Sequence, residues 1–266
     1  MPSRLLDKFQ SGKTALGVYI NSTDMVDLCG HLGFDWFMID QMFTANDWGK
    51  TESLIFAGEA ASITPVVRVQ SNPWLGYDHR IAVDVSRVLG IGAQFVLISN
   101  SGKQEIDECV EVSRDWHRKA LVIHPYNDFD DWNRVHEKQV GQTFVIPQPE
   151  TKQALDDIET YIRDPGIKAV FIAMTDASRV ITGSHRPDFY DDALWEYVDR
   201  AVALGREHDV VIGANTSYAY SMLELRKRVE RLAEHGVQMI MVQGVNFLFQ
   251  VAMGEFMREL GPVLQS

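Results

Sequence analysis

Short apolar runs, four to six residues long and nearly continuous, return along the whole chain with amphipathic stretches between them. The runs are Ala15–Ile20, Trp36–Ile39, Pro65–Val69, Phe95–Ile98, Thr143–Ile146, Ala169–Ala173, Val210–Gly213 and Met239–Val242. A strand buried on both faces reads as such a run, whereas a half-solvated strand alternates. The intervening stretches carry helix start and stop signals. Thr23–Leu32 opens on Thr-Asp and stops at Gly33, and Ser221–His235 stops at Gly236. Asp191–Glu207 has apolar residues at three- and four-residue spacing, and Thr151–Arg163 ends before Asp164-Pro165-Gly166. HLGFDWFMID, VLGIGAQFVLI and EHGVQMIMV share one order of helix, glycine, turn and buried strand. Repeated units of this kind imply a parallel sheet. Eight of them in 266 residues predict a single (β/α)8 TIM-barrel domain over 1–266 rather than an open doubly wound sheet. The first strand also lacks the Gly-rich turn of a dinucleotide fold. A ninth run, Ala120–Ile123, is extra to this scheme.

Charge and cysteine content narrow the partners. Twenty-five Lys and Arg against 37 Asp and Glu leave a net charge of −12, and no basic run offers a nucleic acid its phosphate contacts. Cys29 and Cys109 read as two buried free thiols. No stretch resembles a signal peptide, and none reaches the roughly 18 apolar residues of a membrane span. The expectation is a cytoplasmic protein with neither nucleic acid nor membrane as partner.

In a parallel barrel the chemistry stands at the carboxyl ends of the strands. There the chain places Asp40, Arg68, Ser99, Asn100, Gln148, Glu150, Asp176, Asn215, Gln243 and Asn246. Glu150 and Asp176 follow adjacent strands and can converge. Two carboxylates without a thiolate or imidazole suit a hard cation, Mg²⁺ or Mn²⁺. Arg68 offers a planar fork to a substrate carboxylate. A 2-oxo acid on such a metal would have its enolate stabilised as a carbon–carbon bond breaks or forms. Each residue also has a purely structural reading: Asp176 as a cap, Glu150 as a first-turn helix carboxylate, Arg68 in an internal ion pair. Lys50, Lys103 and Lys119 lie outside the strands, so an imine-forming lysine is not indicated.

GFDWFMID at 33–40, PVVRV at 65–69, PQPET at 147–151, VFIAMTDAS at 170–178 and VQGVNFLF at 242–249 together resemble the HpcH/HpaI aldolases. These are metal-dependent class II pyruvate aldolases of the phosphoenolpyruvate/pyruvate barrel superfamily. The resemblance implies that Glu150 and Asp176 hold the metal. It implies that Arg68 and Gln148 contact the oxo acid, with Thr175 and the backbone amides of an Ala173–Asp176 loop. It also implies a homo-oligomer, hexameric or trimeric, in which a C-terminal helix packs on a neighbour; the apolar tail Phe247–Leu264 is compatible with that and equally with covering its own barrel floor.

One departure stands out. Where the family follows its strand-2 aspartate with Gly-Glu-His, this chain has Gln41, Met42 and Phe43. A phenyl ring cannot move a proton, so the catalytic set expected here is Arg68, Asp40 and a substitute base. His124, at the end of KALVIHPY, is the first candidate, ahead of Tyr126 and His185. The other histidines, at 31, 79, 117, 136, 208 and 235, fall on helices or turns and read as solvated. Phe43, Trp48, Trp74, Tyr77, Tyr126, Phe129, Trp132, Tyr218 and Tyr220 suggest an acceptor pocket bulkier or more aromatic than a sugar acid needs. The main reading is a carbon–carbon lyase acting on a 2-oxo acid. The alternatives are an oxo-acid decarboxylase or other enolate-forming lyase on the same site, a CoA-ester lyase of the citrate-lyase β type, and a catalytically silent binding barrel.

Overall fold

A computed structural model describes residues 3–69, 77–115, 130, 133, 134, 137 and 141–264. Eight parallel strands form one sheet: β1 (Ala15–Tyr19), β2 (Trp36–Asp40), β3 (Thr64–Arg68), β4 (Phe95–Ser99), β5 (Phe144–Gln148), β6 (Ala169–Ile172), β7 (Val211–Asn215) and β8 (Met239–Gly244). Their order, β5-β4-β3-β2-β1-β8-β7-β6, runs round a ring, and the end strands β5 and β6 lie against each other. The result is a nearly closed (β/α)8 TIM-barrel-like fold, as the recurring unit implied.

The outer helices are α2 (Thr23–His31), α3 (Trp48–Ala60), α4 (Arg80–Gly90), α5 (Lys103–Asp115), α6 (Lys152–Asp156), α7 (Ile158–Ile162), α8 (Met174–Thr182), α9 (Asp192–His208) and α10 (Met222–Glu234). The N-terminal α1 (Arg4–Gln10) precedes the barrel and α11 (Val245–Leu264) ends it. Among the described residues no helix is long and apolar enough to cross a membrane. The ninth apolar run, Ala120–Ile123, lies outside the described residues.

Two boundaries differ from expectation for local reasons. Thr151–Arg163 is not one helix: it breaks at Asp157, whose carbonyl accepts both the amide and the hydroxyl of Thr160. Strands β5 and β7 run past their apolar residues to Gln148 and Asn215. Backbone ladder bonds ignore side-chain polarity, so Ser99 pairs with Gln148, and Asn215 with Met241.

Residues of alternate parity build two separate cores, because successive strand side chains point to opposite faces. Phe37, Ile39, Val67, Val96, Ile98, Val145, Val170 and Ile240 face outward into the layer under the helices. Trp36, Met38, Val66, Phe95, Leu97, Phe144, Ile146, Phe171 and Met239 fill the barrel interior. Helix α1 plugs its lower end. Ser3 caps this helix and shares a 3.1 Å hydrogen bond with Thr64; Leu5 and Leu6 enter the interior. Phe9 meets Phe95 and Phe144 edge-on at 6.1 and 5.9 Å. With that end closed, the open end is the carboxyl one.

Interior volume is matched residue by residue. A Cβ on Gly17 would lie 2.0 Å from the Trp36 ring, and one on Gly213 would lie 2.6 Å from Phe171. Those two rings meet edge-on at 6.2 Å. Glycine is therefore required on β1 by the indole of β2. Gly17→Ala should lower stability by about 1–3 kcal/mol or more through overpacking, read as a reduced urea midpoint at unchanged slope. A midpoint equal to that of the unmodified chain would show that the interior has slack.

Candidate active site

The last inward-facing residues of the strands form one polar layer at the carboxyl end. A cleft of about 490 Å³ opens there, lined in part by Asp40, Arg68, Gln148, Thr175 and Asp176, with Phe43 at its edge. Of the residues expected at the strand ends, Asp40, Arg68, Gln148, Asp176, Asn215 and Gln243 line the cleft, whereas Ser99, Asn100, Glu150 and Asn246 are not among its lining residues.

Asp40 and Arg68 are direct neighbours across β2 and β3. Arg68 Nε donates to Asp40 Oδ1 at 2.9 Å and a terminal amino group to Oδ2 at 2.7 Å. Asp40 Oδ1 also accepts from the Met42 amide at 2.9 Å. Side-chain exposure is 12% for Arg68 and 4% for Asp40, so this is a buried, doubly bonded pair rather than a surface contact. The planar fork expected to face a substrate carboxylate is thus engaged inside the protein, and both oxygens of Asp40 are in use. Phe43 lies over the guanidinium, 5.0 Å from Cζ to ring centroid. The phenyl ring that stands in the family's histidine position is itself mostly exposed.

Glu150, two residues beyond the end of β5, lies within range of the charge of Asp176, four residues beyond the end of β6. Burial, then the charge of Asp176, push the Glu150 carboxyl up to about 7; Arg68 and a hydrogen bond from Gln148 pull the other way. Asp176 is also raised, chiefly by burial, with Arg179 and Arg68 opposing. Gln148 is buried and its amide donates to Glu150 Oε1. Two crowded carboxylates raise each other's affinity for any cation, proton or metal. They are two oxygen-donor groups, and among the described residues no cluster of three or more His, Cys, Asp or Glu stands as a ready-made metal cage. That donor set fits a hard ion that keeps several sites for water and substrate oxygens.

Asp176 does not lie in a loop, as expected, but in the first turn of α8, which starts at Met174 one residue after β6. Ala173 occupies the cap position and supplies no side-chain cap bond, and among the described residues no other side chain is bonded to the first-turn amides. An uncapped helix start at the cleft is a natural seat for an anionic group. Thr175 Oγ1 shares a 2.9 Å hydrogen bond with Ser217 Oγ.

The remaining candidates separate. His124 and Tyr126 lie outside the described residues, as do Trp74, Phe129 and Trp132. His185 is exposed and is not among the cleft residues. His235 is held by Asp199 at 2.6 Å and packs on Trp195, rather than being simply solvated. Trp48 packs toward the outer core and Arg87, and Tyr77 bonds Glu108, so neither forms the mouth. Tyr218 does reach it and meets the lining residue Phe247 at 5.8 Å, while Tyr220 packs on Phe247 at 5.7 Å without lining the cleft itself.

Sequence reasoning passed over several cleft residues, Tyr19, Arg179 and Ser217 among them. Tyr19 shares the inward parity of Ala15 on β1 and ends that strand. Arg179 stands three residues after Asp176, on the same helix face. Both signals were present. Ser217 gave none: it adopts a left-handed φ of 52°, its amide bonded to Asn215 Oδ1 at 3.1 Å and its carbonyl to the Gln243 amide.

Comparison with known proteins bears on the family and the fold. The family description HpcH/HpaI aldolase/citrate lyase matches residues 14–243. A 5-keto-4-deoxy-D-glucarate aldolase of Escherichia coli O139:H28 is 24% identical over 193 residues, covering 70% of this chain and 72% of its own. The crystal structure of an HpcH/HpaI aldolase from Desulfitobacterium hafniense DCB-2 superposes with a TM-score of 0.78 at 20% identity, covering 96% of both chains. A citrate lyase beta subunit from M. tuberculosis, complexed with oxaloacetate and magnesium, superposes with a TM-score of 0.59 at 12% identity, over 90% of this chain and 96% of its own. The chain belongs to the HpcH/HpaI aldolase/citrate lyase family, a family of aldolase-like lyases.

Proposed function

We propose that this protein is a divalent-metal-dependent carbon–carbon lyase that cleaves or forms an aldol bond in a 2-oxo acid by way of a pyruvate-type enolate. The reading is carried by Gln148 and Asp176 in the cleft lining, with Glu150 tied to both, to Gln148 by a hydrogen bond and to Asp176 by charge. Oxaloacetate with magnesium in the M. tuberculosis citrate lyase subunit supports the same ligand class here.

Glu150 and Asp176 hold Mg²⁺ or Mn²⁺, and Gln148 orients Glu150. When bound, the ion supplies Lewis-acid stabilisation of negative charge on the substrate oxygens. The uncapped start of α8 receives the substrate carboxylate through its amides. Arg68, held at a fixed angle by Asp40, presents its uncommitted N–H edge to a substrate oxygen; Asp40 serves here by positioning that guanidinium. Phe43 supplies no proton, and with Tyr218 and Phe247 it makes the acceptor side partly aromatic, favouring a bulkier acceptor than a sugar acid. The same phenyl ring favours a second reading, decarboxylation of an oxo acid, which releases the enolate without any acceptor proton to move.

Calorimetric titration with Mn²⁺ tests the metal. Binding is expected, and Gln148→Ala should weaken it by about 10- to 100-fold through loss of the orienting bond. Absence of binding, with or without pyruvate, would refute the proposal. Turnover of oxaloacetate without cleavage of any 4-hydroxy-2-oxo acid would select the second reading.

The pH dependence of stability follows from Glu150. Its folded pKa, about 7, exceeds the ordinary 4.5, so its contribution is fully present below pH 4.5 and is lost as pH rises through 7. The metal-free protein should therefore lose Tm across that window, and Mg²⁺ should restore it at pH 8. Glu150→Gln should melt higher than the unmodified metal-free chain at pH 8, and Mg²⁺ should no longer raise its Tm. Identical pH profiles for the two proteins would exclude a strained carboxylate at this position.

A further inference from the structure

Among the described residues the cleft is lined by two guanidinium groups, Arg68 and Arg179, and of these only Arg68 is hydrogen-bonded to a carboxylate of the protein. Arg68 has committed Nε and a terminal nitrogen to Asp40, and Phe43 covers its face. Arg179, on the second turn of α8, is exposed and touches Asp176 Oδ1 only at 3.9 Å, beyond hydrogen-bond range. Its side chain projects from the same helix that presents first-turn amides to the cleft, and Thr175, Ser217 and Tyr218 form the adjoining wall.

We infer that Arg179 binds a second anionic group of the substrate, at the end remote from the 2-oxo acid function, so that the preferred ligand is a dianion. This rests on the proposed 2-oxo acid chemistry and extends it to the far end of the molecule. The chemistry is that of a planar fork meeting a carboxylate: two parallel N–H···O bonds that a neutral chain end of equal length cannot accept. The need for such a group is sharpened by the chain's overall charge of −12, which repels a dianion everywhere except where a fixed cation stands. The two anionic groups are served by different parts of α8: one by its uncapped amides, the other by the side chain at 179. The helix thus measures the spacing between them.

The test compares ligands that differ only in the remote group. In the presence of Mg²⁺, 2-oxoglutarate and 2-oxopentanoate are titrated calorimetrically into the unmodified protein, Arg179→Gln and Arg179→Lys. The longer pair, 2-oxoadipate and 2-oxohexanoate, repeats the comparison one carbon further out. In at least one pair the unmodified protein should bind the diacid more tightly by roughly 10- to 100-fold, the range of a charge-assisted hydrogen-bond pair. Arg179→Gln should erase that preference while leaving the monoacid within about twofold. Arg179→Lys should fall between, retaining charge without the fork. Mn²⁺ affinity measured in Arg179→Gln shows whether Asp176 has been disturbed. An equal loss for both members of a pair, or a preference that survives Arg179→Gln, overturns the assignment while leaving the 2-oxo acid reading standing. If the unmodified protein binds none of the four acids, the 2-oxo acid reading fails and the assignment fails with it.

Discussion

Closure of a parallel sheet on itself is the constraint from which the rest follows. Once the ring is shut, every second residue of each strand must enter a space of limited volume, and its neighbours must face the helices. The lower levels are filled by Trp36, Phe95, Phe144 and Phe171, with Gly17 and Gly213 yielding room to the largest rings. At the top level the same parity brings up Tyr19, Asp40, Arg68, Gln148 and Asn215. A polar side chain at that level is surrounded by other strands' last residues, so it either pairs within the layer or faces the cleft. The site is the upper surface of the interior packing.

The Asp40–Arg68 pair shows how pairing within the layer changes a residue's role. Taken singly, a strand-end arginine reads as a carboxylate clamp. Beside an aspartate at the same register across one ladder, it becomes half of a buried ion pair, which costs about 3–5 kcal/mol to break on one side. The guanidinium is then a rigid fixture with one edge toward the cleft. Glu150 and Asp176 are the opposite case. Like charges are held together without an internal cation of their own in hydrogen-bond contact, and their mutual repulsion is a standing affinity for a positive ion. Asp40 has both oxygens on a guanidinium, whereas Glu150 has the Gln148 amide and Asp176 has Arg179 at 3.9 Å. That division separates scaffold from binding site more sharply than residue type does.

The fold was largely legible because a two-face-buried strand and a glycine-terminated amphipathic helix each leave a periodic trace, and the trace repeats. The members of the polar layer on β2, β5 and β7 were legible for the same reason, as the first polar residue after a buried run, and Arg68 on β3 as the polar residue interrupting the end of its run. The errors were local. Asp157 splits a helix because Thr160 bonds back to its carbonyl, and Asp176 falls on α8 because only Ala173 separates β6 from that helix. Tyr19 was passed over as apolar strand content, although its parity marked it. Trp48 and Tyr77 looked like mouth residues because loop aromatics carry no sign of which way they turn.

The sequence by itself determined the number and kind of repeating units, and hence the barrel and the end at which chemistry stands. It also marked Asp40 and Arg68 at that end, since strand parity is a property of the backbone alone, but not Arg179, which a helix brings there. Which of those groups are already satisfied was decided only by the tertiary structure. Hydrogen-bond partners such as Asp40 and Arg68, or Thr175 and Ser217, lie 28 and 42 positions apart in the chain. They meet only when the ring closes, and no local pattern records the angle at which they do so.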